Sequence, residues 1–367
     1  MSISSLTLTS VPPAVATGAF HAYFVFDVAE TISLEALAAI AEEAERAPLQ
    51  LRREASSGFI AYPVPPVLAR LPKTPSGFDV RAKIFNYGVI SIRISSPFSG
   101  SWPDYAAFTR RLRNDDALEA EARAALDAFM TRIADAINLP HDPLVEDYFV
   151  FEVGEFVDHI SAAELLGPYA SSLASLVLCE ERRLTGLEQD ETLRVNFSYY
   201  EDDLAVVQWD TAFVYDRSEG AAAIEDILEF ANTQLAELRT YDALLDAELE
   251  TIYAIDPKDK RFGRREAQAA ADRLRFISVD VQQLTDHANN ALKIIGDAFY
   301  ARLYRGAAGR LGLKDWQKQI DAKLKSVGDL YRFFNDEVQH ARGEFMETIV
   351  IILIALEVVI GIIALRH

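Results

Sequence analysis

HAYFVFDVAE, residues His21–Glu30, is built from aromatic and aliphatic side chains and reads as a strand. A helix, SLEALAAIAEEAE (33–45), is expected after it, then FIAYP (59–63) and the alternating run DVRAKIFNYGVISIRISS (79–96). A helical pair spans Tyr105 to Ile137. The pattern then restarts with EDYFVFEVGEF (146–156), the helix SAAELLGPYASSLASLVLCE (161–180) and two strands within TLRVNFSYYEDDLAVVQWDTAFVYD (192–216). Set side by side, AYFVFDVAE and DYFVFEVGE suggest an internal β-α-β-β duplication. Strand pairs beside helices point to an α+β domain over residues 20–218 with an antiparallel sheet, behind a flexible N-terminus of residues 1–19. No strand is followed by a glycine-rich turn, which argues against a doubly wound nucleotide fold.

After Gly220 the texture becomes helical, and a coiled-coil-like stalk is expected over residues 219–347. The first helix, to Ile255, carries Leu228, Ala231, Leu235, Leu238, Leu245, Leu249 and Ile252 on a seam that only Asp242 interrupts. The second, from about Gly263 to Tyr304, keeps Leu274, Ile277, Val281, Leu284, Ala288, Ala291, Ile295 and Ala298 in line. The third carries Ile320, Leu324, Val327, Tyr331, Phe334, Val338, Ala341 and Phe345. Short connections, DPKDKRF and RGAAGRLG, imply an antiparallel three-helix arrangement.

The third helix runs into ETIVIILIALEVVIGIIALRH, in which 17 residues from Ile349 to Leu365 are apolar or small apart from Glu357. As a helix they would span roughly 26 Å, against a bilayer core of about 30 Å. Thirteen Ile, Val and Leu residues favour insertion by roughly 4 to 8 kcal/mol, and a central acid costs roughly 3. A transmembrane tail anchor over 348–365 is therefore expected. Glu357, Gly361 and Ala364 share one face, the composition of a membrane-helix association surface. An antiparallel stalk would return the loop after Ile255 to the membrane, placing Lys258, Lys260, Arg261, Arg264 and Arg265 against lipid headgroups.

The chain has 367 residues and a net charge of −20, which repels phosphate backbones and makes nucleic acid an unsuitable partner. Its single cysteine, Cys179, forbids an intramolecular disulfide. No basic, apolar leader opens the sequence, so the bulk of a bacterial chain is expected in the cytoplasm. The six histidines are scattered, without an HExxH or an i, i+4 pair, and no metal or cofactor is expected. Glu180, Glu181, Arg182 and Arg183 read as a helix end entering a charged loop. Tyr199, Tyr200, Asp202 and Asp203 read as a hairpin turn. No set of nucleophile, base and stabiliser converges, so catalysis is not expected.

Three stretches carry a family likeness. IFNYGVISIRI (84–94), RFISVDVQQLTDHANNALKIIGDAFYARLYR (275–305) and EFMETIVIILIALEVVIGI (344–362) resemble the "required for meiotic nuclear division" family, a domain shared by mitochondrial and bacterial proteins. The resemblance implies a membrane-anchored protein that assembles with itself, whose mitochondrial members support translation at the inner membrane. Together these readings give a tail-anchored, homo-oligomeric scaffold that positions a soluble partner at the lipid bilayer. The alternatives are an oligomer conducting or sensing ions through Glu357, and an enzyme with a cleft in the α+β domain.

Overall fold

A computed structural model of the chain describes residues 11–37, 51–53, 60, 62, 64–218, 220–253, 277–279, 281, 297–330 and 332. The chain divides into two compact units, one comprising Met1–Thr240 with Asp286–Trp316 and the other Tyr241–Thr285 with Gln317–His367.

The first unit is organised by one sheet. Its strands are β1 (Val15–Ile32), β2 (Leu51–Arg53), β3 (Val67–Leu71), β4 (Asp79–Ile84), β5 (Val89–Gly100), β6 (Ile137–Phe156), β7 (Asn196–Phe197), β8 (Asp203–Val207) and β9 (Thr211–Asp216). They lie in the order β2-β3-β4-β5-β1-β6-β9-β8-β7, nine strands among the described residues. Central β1 pairs antiparallel with both β5 and β6. Because side chains alternate across a strand, Phe20, Ala22, Phe24, Phe26 and Val28 share one face of β1 and His21, Tyr23, Val25 and Asp27 the other.

The phenylalanine face is the apolar core. Phe20, Phe24, Phe26 and Phe151 are buried there, each contributing about 1.5–3 kcal/mol. Three helices cover it: α1 (Trp102–Arg113), α2 (Ala117–Arg132) and, after the short α3 (Ala162–Leu166), α4 (Ala170–Val177). Ser101 caps α1 by accepting from the Asp104 N–H, and Ser161 with Glu164 forms a capping box on α3. Helix α5 (Gly186–Thr192) leads to β7.

The expectation of an antiparallel sheet with a duplicated unit is corrected. The orders β1-β5-β4-β3 and β6-β9-β8-β7 match, yet β1 and β5 run antiparallel while β6 and β9 run parallel. The sheet is mixed, and a two-fold rotation that carried β1 onto β6 would leave β5, β4 and β3 antiparallel to β9, β8 and β7.

Helix α6 (Gly220–Tyr253) follows, as expected, and its residues from Tyr241 belong to the second unit. There Asp242, the break in the expected seam, holds Lys323 at 2.6 Å and Gln319 at 3.0 Å, and Asp246 holds the same lysine at 2.7 Å. The acid is a cross-helix contact, since residues 313–330 are helical.

The three-helix stalk is corrected as well. An unbroken second helix to Tyr304 is expected, but Asp297 has extended backbone and its side chain accepts the Phe299 N–H at 2.7 Å, starting α7 (Ala298–Arg310). Helix α7 runs through most of RGAAGRLG, expected as a loop, and ends at Gly312 with φ of 66°. Gly306 serves packing: a Cβ there would stand 2.4 Å from the Phe197 ring of β7. Gly306→Ala should therefore destabilise by about 1–3 kcal/mol through overpacking instead of gaining the roughly 1 kcal/mol of helix propensity. Urea unfolding of the two proteins separates these outcomes.

Among the described residues no helix is long and apolar enough to cross a membrane. The expected transmembrane tail, single-pass anchor and membrane localisation are thus not supported by any described helix. Residues 348–365 lie outside the described residues, as do Glu357, Gly361, Ala364, Lys258, Lys260, Arg261, Arg264 and Arg265.

Candidate functional site: a charged layer between sheet and helix

The second face of the sheet carries buried polar and charged residues among apolar ones, and so does the helix lying on it. Ala236 of α6 packs with Val25, Phe85 and Val89 in a small apolar cluster. Around it the buried residues of α6 include Glu225, Glu229, Thr233, Glu237 and Thr240. An amphipathic helix normally turns such a face to water. Here Leu228, Ala231, Leu235 and Leu238 are buried too, so the first five turns of α6 are enclosed on both faces.

Enclosure of acids is tolerable only with partners. Lys83 of β4, 4% exposed, lies 2.9 Å from Asp226 and 3.1 Å from Glu229. Arg93 of β5 donates to Glu225 Oε2 at 2.8 Å, and the Tyr23 hydroxyl donates to the same oxygen at 2.8 Å. Burial, with Glu225 adding and Arg93 opposing, raises the Tyr23 hydroxyl well above its ordinary value and keeps it a donor. Tyr87 and Thr233 share a hydrogen bond of 3.0 Å, and Arg239 bonds Glu146 of β6.

His21 stands where β1, β5, β6 and α6 meet. Its Nδ1 lies 2.9 Å from Ser95 Oγ, its register partner on β5. Its Nε2 lies 2.8 Å from Glu152 Oε2 and 3.5 Å from Glu225 Oε1. The hydrogen bond from His21, working against burial, holds the Glu152 carboxyl below its ordinary value. Tyr105 of α1 reaches through from the apolar side, donating to the carbonyls of Ala19 and Glu152 at 2.9 and 2.8 Å. Among the described residues, the ligand atoms of His21, Glu152 and Glu225 are the group whose mutual spacing, within 4.8 Å, suits a metal ion.

The scattered histidines hid this group, because its members lie 131 and 73 residues apart in sequence. The one usable cue was that His21 and Glu152 sit in the two similar strands. Other charged candidates fall elsewhere: Glu181 pairs with Arg110 at 2.8 Å, and Asp203 accepts from the Tyr199 and Tyr200 N–H groups at 2.7 and 3.0 Å. Burial pushes the Cys179 thiol up to about 12.

Burial, opposed by Arg239, also pushes the Glu146 carboxyl from 4.5 up to about 7. A carboxyl that binds its proton more tightly when folded stabilises fully below about 4.5 and loses that contribution as pH rises through about 7. Unfolding free energy should fall by up to about 3 kcal/mol between about pH 5 and pH 8. Glu146→Gln should flatten that fall, which denaturant midpoints at the two pH values would show.

The family described as "Uncharacterized protein MJ0711, N-terminal domain" matches residues 17–222, more than half of the sequence, and the chain belongs to it. A similar relative is the uncharacterized protein MJ0711 of Methanocaldococcus jannaschii, 22% identical over 221 residues, which are 60% of this chain and 67% of that protein. No solved structure matches. The expected membership of the "required for meiotic nuclear division" family is thereby corrected. Its YGV core is a hairpin turn here: Gly88 O accepts from Val28 N at 3.1 Å and Asn86 O from Ile32 N at 3.0 Å, tying the turn to β1.

Proposed function

We propose that this protein is a non-catalytic scaffold that assembles with copies of itself and with a soluble protein partner. The supporting observation is the charged layer: Asp226 and Glu229 are paired with Lys83, Glu225 with Arg93 and Tyr23, and Glu146 with Arg239, which suits fixing a helix in register better than acting on a substrate. The sheet thereby holds residues 220–240, the part of α6 within the first unit, in one register.

The enzyme reading finds less support. A cavity of about 270 Å³ beside α2 is lined by Leu71, Lys73, Thr74, Glu121 and Arg132 among others. Another, of about 210 Å³, is lined by Tyr199, Asp216, Asp297 and Tyr300 among others. Neither brings a histidine or cysteine to an acid. The ion-conduction reading rested on a membrane-spanning tail and is not carried further.

Light scattering of the full-length protein across its accessible concentration range tests the proposal. A mass that is a multiple of one chain supports it. A monomer throughout, with no protein neighbour found by proximity labelling in the native cell, would overturn it.

A further inference from the structure

We propose that His21, Glu152 and Glu225 bind a divalent first-row transition-metal ion, which bridges β1, β6 and α6. Three observations lead there. The first is spacing: Nε2 of His21 stands 2.8 Å from Glu152 Oε2 and 3.5 Å from Glu225 Oε1. Ligand bonds of about 2.1 Å put adjacent ligand atoms about 3.0 Å apart, so the three atoms close on an ion with small side-chain adjustments.

The second is the orientation of the ligands. Arg93 and Tyr23 both donate to Oε2 of Glu225, which leaves Oε1 turned toward His21. Ser95 Oγ sits at Nδ1 of His21, the position from which metal-bound histidines are commonly oriented. A hydroxyl both donates and accepts. With the ring proton on Nε2, Ser95 donates to Nδ1 and Nε2–H donates to Glu152. With the proton on Nδ1, Ser95 accepts it and the Nε2 lone pair is free for a metal. Moving the ring proton from Nε2 to Nδ1 and turning the Ser95 hydroxyl therefore frees the Nε2 lone pair for a metal.

The third is charge. The ion pairs meeting here set Glu152, Glu225, Asp226 and Glu229 against Lys83 and Arg93. With a neutral imidazole this leaves two negative charges, which one divalent ion cancels. Glu152 is 27% exposed while His21 and Glu225 are 6% and 5% exposed, so an ion and its remaining water ligands have an entry side. One imidazole with two carboxylates suits manganese, iron(II) or zinc, whereas magnesium prefers oxygen ligands alone.

The test is calorimetric titration of chelator-treated full-length protein with Zn²⁺, Mn²⁺ and Mg²⁺ separately, with metal content measured after dialysis. The expected result is one Zn²⁺ or Mn²⁺ per chain and much weaker Mg²⁺ binding. Glu152→Gln, at the exposed edge, should keep the fold by circular dichroism and weaken Zn²⁺ or Mn²⁺ at least about tenfold, and His21→Asn should weaken it further. Two results would overturn the proposal: no stoichiometric binding to the wild-type chain, leaving His21 and Glu152 as a hydrogen-bonded pair alone, or binding that both variants leave unchanged.

Discussion

Lys83→Met is expected to lower the unfolding free energy by about 3–5 kcal/mol, the range for removing one partner of a buried ion pair. The ammonium is 4% exposed and bridges Asp226 to Glu229, one turn apart on α6. Without it, Asp226 and Glu229 face each other and the sheet with their common cation gone. The loss comes from those stranded charges, so replacing all three residues together, Lys83→Met with Asp226→Leu and Glu229→Leu, should restore most of it. Urea unfolding of the single and triple variants checks both statements. A single variant within about 1 kcal/mol of wild type would mean that water reaches the pair, since exposed pairs are worth no more than that.

Gly88→Ala is the second large effect, expected at about 3–4 kcal/mol. Its φ of 90° disfavours any side chain by roughly 1–2 kcal/mol. A Cβ there would also stand 1.6 Å from the carbonyl oxygen of Ala29 and 2.7 Å from its carbon, a backbone collision that no rotamer relieves and that adds about 1–3 kcal/mol. Gly77 supplies the control: φ is 87°, but nothing lies within 4 Å of its Cβ position. Gly77→Ala should cost only the conformational share. Equal losses at the two sites would show that the β4–β5 turn does not press on β1.

What was legible in the sequence was local. The aromatic runs at His21–Glu30 and Asp147–Glu155 named the two central strands, and the strand signals around Asp79–Ser96 and Thr192–Asp216 named their neighbours. Their directions were not legible, because whether β9 runs with or against β6 depends on the path of the chain between them. The start of α6 was legible from its leucines. The burial of its acids is not legible, since Glu225 and Glu229 on a leucine-bearing helix ordinarily face water, and only Lys83 and Arg93 of the sheet beneath turn them inward. His21, Glu152 and Glu225 share no local spacing, so no motif could join them. The YGV likeness misled for a physical reason: an aromatic, a glycine and a β-branched residue are what a tight hairpin turn requires in many unrelated proteins.

A double-mutant cycle between Arg93 and Glu225, measured by denaturant unfolding in the presence of chelator, tests most directly whether the charged layer locks α6 to the sheet. With Arg93→Met and Glu225→Gln, a locked layer gives a coupling of about 1.5–3 kcal/mol. Additivity within about 0.5 kcal/mol would contradict it, showing that the Arg93–Glu225 pair does not hold α6 on the sheet.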